Sequence, residues 1–253
     1  MGWAKFGLAK VGLLRLYPRQ KGNAVTAADE DLQEKAAGFF GRRKGKRLRD
    51  EQAQRIETVL PALRVDLSPA TLDPGRLFAT PKADLWLEIG FGGGEHLAHT
   101  AAAHPEIGFI GCEPFVNGVA KLVAEVGQRG LANVRVHDGN ASDVLAKLLP
   151  RSVGRIYLLY PDPWPKRRQR KRRFVSDRSL KAFARVLKPG GEFRFASDID
   201  DYCGWVLQRI ARSPDFIWTA EKAEDWLTPF PDWPGTRYEA KAIREGRRPS
   251  YLT

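Results

Sequence analysis

Short apolar runs recur along the chain, each closed by a polar or turn residue and most followed by a helical pattern. Leu85-Trp86-Leu87-Glu88-Ile89 leads into the turn Gly90-Phe91-Gly92-Gly93-Gly94 and then a helix-like stretch from Glu95. Ile107 to Cys112 ends in Glu113 and precedes a helical pattern over 115–129. A strand over 133–141 closes on polar side chains. The run Ile156 to Tyr160 is short, apolar and β-favouring, as expected of a strand covered on both faces. A helix beginning at Asp177 or Ser179 runs through Val186, and Lys188-Pro189-Gly190-Gly191 stops it before a further strand, Glu192 to Ala196. Strands alternating with helices predict an α/β fold with a mostly parallel central sheet and helices on both faces.

Upstream of residue 85 the pattern changes. Six of the eight residues from Arg42 to Arg49 are basic. A helix is expected next, with Asp50 and Glu51 near its start and Ile56, Val59, Leu60 and Leu63 as an apolar stripe ended near Pro61. Residues 1–28 carry five basic side chains and no acid, but the first serine is Ser68 and Arg15 interrupts the apolar stretch Val11 to Leu16. A loosely ordered basic arm over 1–38 is therefore expected in place of a transit peptide or secretory signal. The expected division is this arm, a basic and helical segment over 39–84, and a main domain over 85–253.

Composition narrows the class. A formal charge of +12 points to a polyanionic partner. No apolar run approaches the roughly 20 residues of a bilayer span, so no membrane partner is expected. Cys112 and Cys203 are isolated, which fits a reducing cytoplasm. His96, His99 and His104 have no cysteine or HExxH partner, so no metal is expected.

The glycines Gly90, Gly92 and Gly94 have a G-x-G-x-G spacing between strand and helix, and Glu95 stands where the dinucleotide pattern has its next glycine. NAD would put a pyrophosphate there. S-adenosylmethionine carries no phosphate but a sulfonium and an ammonium, and Glu88 beside the turn suits those cations. Glu113 lies 23 residues beyond Gly90, near the spacing at which an acid accepts hydrogen bonds from adenosine ribose hydroxyls. Either Asp138 or Asn140 has the position to reach the adenine amino group. With Asp162 and Asp198, four acids fall at strand ends along one edge, where open α/β sheets bind ligands.

The densest chemistry is in residues 155–174, RIYLLYPDPWPKRRQRKRRF. Pro161, Pro163 and Pro165 restrict the backbone around Asp162 and Trp164 just past a strand end. Seven of the eight residues from Lys166 to Arg173 are basic, a run expected to be too charged to pack and suited to a polyphosphate.

PDPWPK followed by KRRF, with Thr236-Arg237-Tyr238-Glu239 near the end, resembles the bacterial tRNA (guanine-N7)-methyltransferase family. Pro165 departs from several relatives, which carry His or another residue there. The resemblance implies a Rossmann-like class I S-adenosylmethionine-dependent methyltransferase fold and methyl transfer to N7 of a guanosine in the tRNA variable loop. It implies cofactor contacts from Glu88, Gly90, Gly92, Gly94, Glu113, Asn140 and Asp162, with Asp162 also catalytic. Substrate contacts are implied for Lys166, Asp198, Thr236, Arg237, Tyr238 and Glu239, and tRNA backbone contacts for Arg42, Arg43, Lys44, Arg172 and Arg173. The working form is expected to be a monomer or homodimer. Competing readings are a methyltransferase for another nucleic acid or a small amine, and a non-enzymatic RNA-binding protein with a methyltransferase-like fold.

Overall fold

The computed structural model describes residues 40–253, so the arm expected over 1–38 lies outside the described residues. Helices α1 (Asp50–Thr58) and α2 (Leu60–Leu63) precede β1 (Asp84–Ile89), α3 (Glu95–Ala103), β2 (Ile107–Cys112), α4 (Val116–Arg129), β3 (Val134–His137), α5 (Ala141–Lys147) and β4 (Val153–Leu159). A 3₁₀ turn over Arg167–Arg172 leads to α6 (Asp177–Val186), β5 (Leu187–Ser197), α7 (Asp200–Ile210), α8 (Glu224–Leu227), α9 (Arg237–Arg244) and β6 (Ser250–Leu252).

The strands form one sheet in the order β3-β2-β1-β4-β5-β6, parallel except for the antiparallel edge strand β6. Chain order reverses between β1 and β4, and such a switch point opens a crevice at the carboxyl ends of the strands. The α/β reading with a mostly parallel sheet and helices on both faces therefore holds.

Period-two alternation sorts the core into two layers. Leu85, Leu87 and Ile89 join Ile156, Leu158, Phe183 and Val206 under α5, α6 and α7. Trp86 points the other way and packs with Leu97, Leu122 and Tyr157 against α3 and α4. Full burial of each such apolar side chain stabilises the fold by about 1.5–3 kcal/mol.

Two expected boundaries move. The upstream helix breaks at Val59, because Pro61 has no N–H and clashes with the preceding turn; Leu60 is nevertheless fully buried, with Ile56, Val59 and Leu63 packed beside it. Lys188-Pro189-Gly190-Gly191 does not precede the fifth strand but interrupts it. Leu187 already pairs with Val153, and the register shifts before Arg155 meets Glu192, with Gly190 at φ 77°. Helix α6 begins at Asp177, capped reciprocally by Ser176 and Ser179.

Candidate active site at the carboxyl edge of the sheet

The glycine turn after β1 has Gly90, Gly92 and Gly94 at φ 71°, 58° and 80°, a conformation that excludes most side chains. Space is open above Gly90, where an added Cβ would meet nothing within 4 Å. Beneath the turn, a Cβ on Gly118 of α4 would strike the Gly92 carbonyl oxygen, so Gly118 allows helix and turn to touch. Gly118 is not among the residues singled out from the sequence. Its signal was a glycine on the buried face of a helix, which costs about 1 kcal/mol against alanine without a packing reason.

Glu113 ties β2 to this turn: its carboxylate accepts from Gly92 N–H at 2.8 Å and from Phe115 N–H at 2.9 Å. Burial raises its pKa above the ordinary carboxylate value, against the lowering by those two N–H groups; nearby Asp162 raises it further and Arg237 lowers it. A carboxylate has about four acceptor positions, so roughly two remain for hydroxyl donors. Asn140 caps α5, accepting from Ser142 N–H at 3.1 Å. Asp138 is held by Arg64 from the upstream segment, at 3.1 Å from Nε and 2.7 Å from Nη2.

Glu88 is not at the open edge. It lies within β1 on the same face as Trp86, 3% exposed, and its carboxylate is 2.7 Å from Nδ1 of His96 on α3.

The loop after β4 is shaped by two non-glycine residues in left-handed backbone, Tyr160 at φ 49° and Trp164 at φ 41°, which bracket Pro161-Asp162-Pro163. Tyr160 N–H donates to the Ala196 carbonyl at 2.7 Å. Asp162 opens to solvent at the mouth of the crevice yet sits low enough that desolvation raises its carboxyl pKa.

Arg173 corrects the expectation that the basic run stays unpacked and that this residue grips tRNA. Only 3% exposed, it donates from Nε to the Pro163 carbonyl at 2.8 Å, pairs with Asp201, and lies over the Tyr202 and Trp205 rings at 4.7 and 5.2 Å. Arg170 also pairs with Asp201, at 2.6 Å. Lys166, Arg167, Arg168 and Lys171 remain exposed.

The two acids expected to hold substrate are paired within the fold. Asp198 lies 2.5 Å from Arg247. Glu239 is 7% exposed and accepts from Trp233 Nε1 at 2.7 Å, from the Tyr251 hydroxyl and from Thr236 N–H at 3.3 Å. Thr236 and Glu239 cap α9 reciprocally, so the Thr-x-x-Glu element is first a capping box. Trp233, partly buried, packs on Phe230, Tyr251 and His96. Arg237 and Tyr238 lie over Gly92.

The first basic run is pinned beside this edge. Val116 N–H donates to the Arg43 carbonyl at 3.0 Å, while the Asn117 amide accepts from Gly45 N–H and donates to the Lys46 carbonyl, each at 2.8 Å. Arg172 lies between two rings, 5.3 Å from Phe40 and 5.0 Å from Trp164, and so joins both basic runs to the Asp162 loop. A cavity of about 230 Å³ lined by Trp86, His99, Arg155 and Arg194 lies on the α3 side and contains none of these acids.

No helix among the described residues is long and apolar enough to cross a membrane. A family model described as "Putative methyltransferase" matches residues 82–251. A protein of Agrobacterium fabrum named tRNA (guanine-N(7)-)-methyltransferase is 58% identical over 85% of this chain and 93% of its own length. One of the same name from Rhodopseudomonas palustris is 54% identical over 93% of this chain and 92% of its own. With a glycine turn and carboxylates at the switch point and relatives alike over nearly their whole length, the chain belongs to the tRNA (guanine-N(7)-)-methyltransferase family.

Proposed function

We propose that this protein methylates N7 of a guanosine in the variable loop of tRNA, in the cytoplasm, with S-adenosylmethionine as donor. The observation that carries the reading is a left-handed glycine turn after β1, tied to β2 by Glu113 and flanked at the end of the adjacent strand β4 by the Asp162 loop, beside two basic runs. A pure RNA binder gains nothing from carboxylates turned toward a polyanion.

The residues present fit the donor. Open space over Gly90 and the left-handed turn leave room for its amino-acid end, Glu113 keeps acceptors for the ribose hydroxyls, and Asn140 has the position for adenine. When bound, S-adenosylmethionine supplies an electrophilic methyl group on a sulfonium.

Guanine N7 is an unprotonated acceptor on the major-groove edge, so its methylation calls for no strong general base. The protein's contribution is alignment, which supplies up to about 7–11 kcal/mol in ideal cases. Asp162, rigidly held, stabilises positive charge as it develops on the ring; one such preorganised group is worth about 3–4 kcal/mol. Its elevated pKa means that this charge is lost on acidification sooner than an ordinary aspartate's would be. Lys166 engages the base or its phosphate. Thr236 borders the guanosine, while Asp198 and Glu239 hold that border in place through Arg247 and Tyr251. Arg42, Arg43, Lys44 and Arg172 contact the tRNA backbone.

The test is labelled methyl transfer to unmodified tRNA beside a transcript with 7-deazaguanosine in the variable loop. Label on the first alone is expected. Equal label on both rejects N7, and label on neither favours a binder.

A further inference from the structure

Glu239 fixes the first turn of α9 and with it the placement of Arg237 and Tyr238. Arg237 and Tyr238 cover the middle of the glycine turn: a Cβ placed on Gly92 would lie 3.3 Å from Arg237 Nη2 and 3.3 Å from Tyr238 Cε2. The guanidinium rests 5.0 Å from the Tyr238 ring centre, and its Nε is 3.7 Å from Glu95 in the first turn of α3, an exposed pair. Its charge reaches Glu113 on the neighbouring strand end.

This placement answers an electrostatic requirement of the donor. Beside its sulfonium, S-adenosylmethionine carries an ammonium and a carboxylate on one carbon. Glu113, Asp162 and Glu95 around the turn attract the two cationic groups and repel the carboxylate. A donor therefore seats well only if a cation at the turn offsets that repulsion.

We propose that Arg237 is the counter-ion of the donor's carboxylate, with Tyr238 covering the amino-acid tail, and that neither is principally a guanosine contact. On binding, the carboxylate takes the place of Glu95 as partner of the guanidinium. An exposed ion pair contributes little, so the exchange costs little. A planar guanidinium suits a carboxylate's two oxygens. The proposal rests on S-adenosylmethionine being the donor.

The test is calorimetric titration of the full chain with S-adenosylhomocysteine and with its decarboxylated analogue, which keeps the ammonium. The wild type is expected to bind the first about tenfold more tightly, the scale of one charge-assisted hydrogen bond. Arg237→Met is expected to lose about tenfold toward S-adenosylhomocysteine and nothing toward the decarboxylated analogue, and Arg237→Lys to recover part of the loss. Equal losses on both ligands overturn the proposal, as does unchanged S-adenosylhomocysteine affinity with weakened tRNA binding. Should Arg237→Met fail to fold, as thermal unfolding of the free protein reports, equal wild-type affinity for the two ligands overturns it alone. A wild type that binds neither ligand overturns the donor assignment instead.

Discussion

Residues 42–49 and 166–173 are close in charge density, with six and seven basic side chains in eight positions each, yet they meet the protein in different ways. The first run is fastened by its backbone, through the Arg43 and Lys46 carbonyls and Gly45 N–H, and its basic side chains are all exposed. The second is fastened by its side chains: Arg170 and Arg173 are bound to Asp201, and Arg173 holds the Pro163 carbonyl beneath Asp162. A backbone attachment leaves the basic side chains exposed to a polyanion. A side-chain attachment spends charge on the shape of the Asp162 loop.

The difference is sharpened most by removing what the second run supports. Asp162→Asn should lower turnover about 10²–10³-fold while changing tRNA affinity little, measured by single-turnover kinetics beside equilibrium binding. Because Asp162's pKa is raised in the fold, the native state binds its proton more tightly than the unfolded state does, and stability falls as pH rises through that range. The asparagine variant should therefore melt higher than the wild type at neutral pH, and the acid limb of the rate profile that Asp162 sets, above the ordinary aspartate range, should disappear.

Arg173→Met comes next. It leaves the Pro163 carbonyl without its donor and should cost about 2–4 kcal/mol in denaturant unfolding, with turnover reduced and the salt dependence of tRNA binding unchanged. A flattened salt dependence would put Arg173 on the tRNA after all. Changing Arg42, Arg43 and Lys44 together to Ala should do the reverse: stability and saturating turnover hold, while the slope of log affinity against log salt falls by about 2–3. Phe40→Ala should have the smallest effect, at most a few-fold in tRNA affinity, because it removes one ring from the cation stack worth about 0.5–1 kcal/mol.

The strands were legible because their apolar runs are short and end in glycine, proline or acid, and the Asp162 loop because three prolines surround one carboxylate. Glu88 was legible in identity, but its burial against His96 was not, although Trp86 two residues earlier marks the buried face they share. Partners distant in sequence stayed hidden. Nothing near Glu239 announces Tyr251, nothing near Asp198 announces Arg247, and a run of cations does not declare which members fold inward. Such pairings depend on where β6 and α7 come to lie, which one-dimensional periodicity does not encode.

The sandwich of Phe40, Arg172 and Trp164 has a consequence for experiments in different buffers. Dissolved ions screen exposed charges over about 10 Å at 0.1 M, but weaken a guanidinium held between two rings far less. Raising ionic strength should thus release the nucleic acid while the entrance to the methylation chamber keeps its outline, so loss of activity in brine reports a departed substrate and not a collapsed enzyme.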